Sequence, residues 1–182
     1  MVFFGFIFAF YRFSKLQHAS LLECAVHVAT GDDAIHVAIV PAVMQNGAVH
    51  AVDAAYTAFM GYGVITQPAE EVLRSPNYVL RFVPARKFTH GRAFLASIVG
   101  AHYNGLSLLS TLLPASLKGS IPAWVSREDA AQMPGQAPAL FCSQLGLMLC
   151  SVIEIPHAID PAACSPGDLE RLIVTHSSRL HG

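Results

Sequence analysis

Residues 34–54 read AIHVAIVPAVMQNGAVHAVDA. Two apolar, β-branched runs flank Asn46-Gly47, and that dipeptide is a strong signal for a two-residue hairpin turn. The stretch predicts a strand over residues 34–43, a tight turn, and a returning strand over residues 48–54. Working outward, the Phe-rich residues 5–13 predict an earlier strand. Leu21, Leu22, Ala25, Val28 and Ala29 recur at helical spacing, so a helix is expected over residues 20–30. Gly31 ends it. Ser75-Pro76 and Pro84 bound a further strand at residues 78–83. Residues 88–101 and 141–153 carry the apolar faces of two helices. The long connection over residues 104–138 contains Pro114, Pro122 and Pro134, and connections of that length are usually functional or mobile. Its leucine-rich part, residues 106–117, reads as a packed short helix or as an apolar flap. Strands come first and helices later, with no βαβ alternation. The expected fold class is α+β, an antiparallel sheet packed against helices, in a single domain over residues 1–182.

Composition narrows the function classes. Apolar residues make up 53% of the chain and charged residues 13%, about half the charged share of an ordinary soluble domain. A chain with that much to bury is not generally disordered. Eleven Lys+Arg against twelve Asp+Glu leave a net charge of -1, which argues against a nucleic-acid partner. The four cysteines are well separated and include no CxxC pair, which suits reduced thiols. The N-terminal run MVFFGFIFAF is shorter than the roughly 20 residues a spanning helix needs. It also lacks the marks of a signal peptide. It reads first as a buried strand and second as a membrane anchor. The sequence does not give a compartment; the absent signal peptide and separated cysteines favour an intracellular location, with membrane association as the alternative that the anchor reading allows. The nine histidines are scattered, with no HExxH, and Gly61-Tyr62-Gly63 is not a phosphate loop. No metal and no cofactor are expected.

Three residues could carry chemistry. Cys142 stands at the start of the helix expected over residues 141–153. The N–H groups and partial positive charge there favour a thiolate and could hold an oxyanion. The alternative is a buried apolar cysteine, the reading given to Cys24 and Cys150. Cys164 falls in a loop. His36 lies near the start of an apolar strand, where an unpartnered imidazole is costly. It is a satisfied core histidine or the base that a thiol nucleophile needs. Asp53 lies on the returning strand of the hairpin, in reach of an orienting role toward His36, or else is a solvated edge residue. His50 points to the opposite face from Asp53 by strand alternation.

The order His, acid, Cys resembles the circularly permuted papain-like hydrolases of the NlpC type. That group includes bacterial and poxviral members and is related to the lecithin–retinol acyltransferase-like enzymes. His36-Val37-Ala38-Ile39-Val40 is similar to the family's histidine strand, and Val52-Asp53-Ala54 stands where Glu-Ala is usual. Gly63-Val64 and Glu70-Glu71-Val72-Leu73 fit the next motifs, and Gly100-Ala101-His102-Tyr103-Asn104 fits the tyrosine motif. Phe141-Cys142-Ser143-Gln144-Leu145 fits the nucleophile segment, and Ser165-Pro166-Gly167-Asp168-Leu169 the closing one. The departures are Gly5-Phe6 for an early Gly-Asp, Asp53 for Glu, and Gln144 for a frequent Glu.

The resemblance implies a permuted papain-like fold with Cys142 as nucleophile, His36 as base and Asp53 as third member. Tyr103, Ser143 and Gln144 are implied to line the substrate site. The expected activity is a cysteine hydrolase that cleaves an amide or ester through a thioester. The low charge suggests a lipid-linked substrate and peripheral membrane contact. Two alternatives stand beside it: an acyltransferase using the same thioester, and a catalytically silent module on a membrane or particle.

Overall fold

The computed structural model describes residues 1–59, 62–102, 141–160 and 164–179. The expected long connection, with its leucine-rich part and Tyr103, lies outside the described residues. Six antiparallel strands form one sheet: β1 (Val2–Arg12), β2 (Ala34–Gln45), β3 (Ala48–Ala51), β4 (Ala55–Phe59), β5 (Gly63–Gln67) and β6 (Tyr78–Pro84). The spatial order is β5-β4-β2-β1-β6, and β3 pairs with the far half of β2. Among the described residues five α-helices accompany them: α1 (Leu21–Thr30), α2 (Ala69–Arg74), α3 (Phe88–Ser97), α4 (Cys142–Val152) and α5 (Pro166–Arg179). The class is α+β, as the sequence led us to expect.

Local chemistry explains most element boundaries. Ser20 and Glu23 close a reciprocal capping box at the start of α1, and Gly31 ends the helix at φ 69°. Asn46 and Gly47 both take positive φ in the hairpin turn, at 52° and 80°. At α5, the Ser165 hydroxyl accepts the Asp168 N–H at 3.0 Å, and the Asp168 carboxylate accepts the Ser165 N–H at 3.0 Å.

Strand alternation splits the core in two. Phe6, Phe8 and Phe10 of β1 and Val37 and Ile39 of β2 face α3, α4 and α5 in the larger core. Ile7 and Ala9 of β1 and Ala38, Val40 and Ala42 of β2 face Val72 of α2 in the smaller one. The N-terminal run is thus an interior strand of the sheet, between β2 and β6, and it is buried on both faces from Phe6 to Phe10. No helix among the described residues is long and apolar enough to cross a membrane.

Two expectations need correction. The returning strand does not run unbroken over residues 48–54: β3 stops at Ala51, residues 52–54 bend, and β4 rejoins β2 with Thr57 opposite Ala38. The helix from Phe88 ends at Ser97 rather than Ala101. The chain then turns so that Ala101 C=O accepts the Val64 N–H at 2.8 Å, which ties the end of this segment to β5.

Candidate active site

Cys142 is the first residue of α4. The preceding Phe141 offers no side-chain cap, so the first amides of the helix have neither an intrahelical partner nor a capping side chain. The sulfur accepts from the N–H groups of Val37 and Ser143 and lies against its own amide. Those donors favour a thiolate. Burial works the other way and wins: only 4% of Cys142 is exposed, and its thiol is pushed up to about 11. The expected lowering of this pKa is therefore overturned. The helix terminus is present, but desolvation exceeds it.

His36 sits on β2 directly before Val37. Its Nε2 lies 2.8 Å from the Thr57 hydroxyl oxygen, and that hydroxyl donates to Val37 C=O at 2.9 Å. A hydroxyl has one proton, so Thr57 must accept from His36 Nε2–H. This fixes the tautomer and leaves the lone pair on Nδ1. Burial pulls the imidazole down to about 4, against the opposing pull of the Glu23 carboxylate. At neutral pH the resting groups are a thiol and a neutral imidazole.

The two groups meet β2 from opposite faces. His36 pairs with Tyr11, stacks on Phe59 at 4.6 Å, and bonds Thr57, which stands opposite Ala38 of the smaller core. Cys142 belongs to the larger core. Imidazole and sulfur thus share the peptide joining His36 to Val37, and among the described residues no hydrogen bond joins them directly. Tyr78 is a further neighbour. Burial raises its phenol to about 12, with further upward pushes from Tyr11 and from the Cys142 sulfur.

Asp53 does not orient His36. Its carboxylate takes Arg92 of α3 at 2.9 Å, the Ala54 N–H at 2.9 Å, and the Tyr56 hydroxyl. Burial raises its pKa, but these partners outweigh burial and hold the carboxyl below its ordinary range. The physical reason for its displacement is register. Val52 N–H bonds Pro41 C=O, and Pro41 lies five residues beyond His36, roughly 16 Å of strand. Thr57 takes the place Asp53 was expected to fill.

The other expected site residues fare unevenly. Ser143 is fully buried, and its hydroxyl donates to Cys164 C=O at 2.6 Å, so it ties α4 to the chain before α5 rather than to a substrate. Gln144 is partly buried, and its Oε1 is buried without a partner. Cys164 lies in a loop before α5, as expected, but is fully buried there, and burial pushes its thiol up to about 12. Cys24, expected on a buried helical face, is partly exposed. Among the described residues, no group of three or more His, Cys, Asp or Glu is arranged to hold a metal ion.

Thr57 was missed, although a signal for it existed. A two-residue turn at Asn46-Gly47 pairs residue 45 with residue 48, and counting back along both strands sets residue 57 opposite residue 36. The bend at residues 52–54 shifts the register, so Thr57 faces Ala38 and reaches His36 diagonally.

No family model, curated protein or solved structure matches this chain.

Proposed function

We propose that the protein is a cysteine hydrolase in which Cys142 attacks an amide or ester carbonyl. The observation that supports this reading is the seat of the Cys142 sulfur. It rests against backbone N–H donors at the start of α4, one peptide from an imidazole whose Nδ1 carries the lone pair. The third member of the site is Thr57, which holds the tautomer. Because the resting thiol is protonated and His36 lies across the His36–Val37 peptide from it, the proton must reach His36 around that peptide, by way of water or the substrate, as the sulfur–carbon bond forms. The oxyanion is held by N–H groups of the helix start. The leaving amine or alcohol departs with the proton from His36, and water then cleaves the thioester. If an amine or alcohol acceptor takes the place of water, the same intermediate makes the protein an acyltransferase. Product analysis with and without an amine acceptor separates these outcomes.

A second reading has its own support. The sulfur is buried, and His36 lies on the opposite sheet face from it. Both residues are then packing groups in a catalytically silent module.

Alkylation by iodoacetamide, mapped cysteine by cysteine, tests the two readings. In the hydrolase, Cys142 reacts faster than Cys150, and its rate is level from neutral pH upward because neutral His36 removes the proton. Thr57→Val, which cannot hold the tautomer, lowers that rate by about tenfold. In the silent module, Cys142 labels no faster than Cys150. Its rate climbs steadily with pH toward about 11, and Thr57→Val changes nothing.

A further inference from the structure

The end of the sheet farthest from His36 is an apolar blade. The start of β1, the end of β2 and all of β3 project there together. The pairings Phe3↔Met44 and Met44↔Val49 set three apolar side chains in a row on one face. Val2 and Phe4, with Val43 opposite Phe4, lie on the other. Phe3 is 42% exposed and Phe4 51%, and Val2, Val49 and Val52 are exposed as well. Asp, Glu, Lys and Arg are absent from residues 1–11 and 34–52. Scattered exposed apolar residues are ordinary, but a contiguous set marks an interaction surface.

We infer that this blade docks edge-on into the surface of an anionic lipid bilayer. Two observations favour lipid over a protein partner. The blade exposes apolar side chains on both faces, Phe3 and Val49 on one and Val2 and Phe4 beside Gln45 and His50 on the other, and a second chain packed against one face would leave the other in water. The rim at its base is basic. Ala85 N–H bonds Phe4 C=O, so Arg86 and Lys87 follow directly beside the blade. Arg92 sits 5.9 Å over the Phe88 ring, which itself touches Phe4. Among the described residues these three cations face two carboxylates, Glu154 on Lys87 and Asp53 on Arg92. Arg86 is exposed and has no ion pair among the described residues. An apolar insertion edge with cations at headgroup level is the pattern that peripheral binding to anionic lipid requires. This inference is independent of the chemistry at Cys142.

Flotation of the full chain with vesicles tests it. The wild type floats with phosphatidylcholine vesicles containing phosphatidylserine, and floats less with phosphatidylcholine alone. Phe3→Ser combined with Val49→Ser lowers the bound fraction by about tenfold or more. Arg86→Glu, a surface change that leaves the core intact, lowers it about fivefold, and added salt does the same to the wild type. Leu21→Ser, on the exposed face of α1, leaves binding unchanged. The inference fails if the wild type stays unbound with both vesicles. It fails equally if Leu21→Ser weakens binding as much as the blade variants. It also fails if the wild type sediments as a dimer that the Phe3/Val49 variant converts to monomer, since a second copy would then cover the blade.

Discussion

At the scale of single residues, His36 and Cys142 should shape the pH dependence of stability in opposite ways. The His36 imidazole falls from an ordinary 6.5 to about 4 in the folded chain. Between those values the unfolded chain binds the proton and the folded chain does not. Stability is therefore fully present above 6.5 and declines as pH drops toward 4, by at most about 3 kcal/mol. The Cys142 thiol moves from 9.0 to about 11. Here the unfolded chain loses its proton first, so stability declines as pH rises from 9 toward 11. Urea midpoints across pH should trace a plateau between the two limbs. His36→Gln, which keeps an N–H for Thr57 but does not titrate, should flatten the acid limb between 6.5 and 4. Cys142→Ala should soften the alkaline one, leaving the part due to Cys150 and Cys164, whose thiols burial also raises. An acid limb unchanged in His36→Gln would mean that the imidazole is not desolvated. The identities of both groups were legible in the chain, because a lone His in an apolar strand and a Cys at a helix start are conspicuous. The direction of the cysteine shift was not. It depends on how deeply α4 sinks against β2, and position at a helix terminus does not encode that.

At the scale of elements, the legible parts are those with their own punctuation. α1 carries its capping box and terminal glycine in sequence, and β1 shows its Phe alternation. β4 was missed because residues 52–54 break the strand without a Pro or Gly to announce it. The packing of α3 on β1 is likewise set by one residue whose effect is tertiary. A Cβ on Gly91 would lie 2.5 Å from Phe6 Cζ and 3.0 Å from Ile153 Cγ2. In an exposed helix, Gly→Ala is stabilising by roughly 0.5–1 kcal/mol. At Gly91 the sign should reverse, because Phe6 is fully buried and its ring has nowhere to go. Overpacking of this kind costs about 1–3 kcal/mol. Gly91→Ala should lower the urea midpoint accordingly, and adding Phe6→Leu should cost less in that background than in the wild type. A neutral or stabilised Gly91→Ala would show that α3 does not pack so closely on β1.

At the scale of the whole molecule, the last helix must be fastened to strands more than 80 residues earlier in the chain. Leu169 and Ile173 do this with apolar area in the larger core, and a line of charges does it at the rim. Glu170 takes Arg12 of β1, with Arg81 of β6 at 3.7 Å, while Arg12 also reaches Asp33 at 3.9 Å. Arg171 spans Asp32 at 2.6 Å and Asp168 at 2.7 Å. The two clusters are unequal despite their similar geometry. Arg12 and Glu170 are 16% and 13% exposed, whereas Arg171 is 62% exposed. Water screens Arg171 more than it screens the Arg12–Glu170 pair. Glu170→Gln strips the sheltered Arg12 of its nearest carboxylate and should cost about 2 kcal/mol. Amide exchange should quicken in α5 before it does in β1 or β2. Arg171→Ala should cost under about 1 kcal/mol, and less still in high salt. The opposite ranking would place the fastening of α5 in the solvent-facing cluster and remove the case that shelter, rather than the number of ion pairs, decides which contact holds this helix to the sheet.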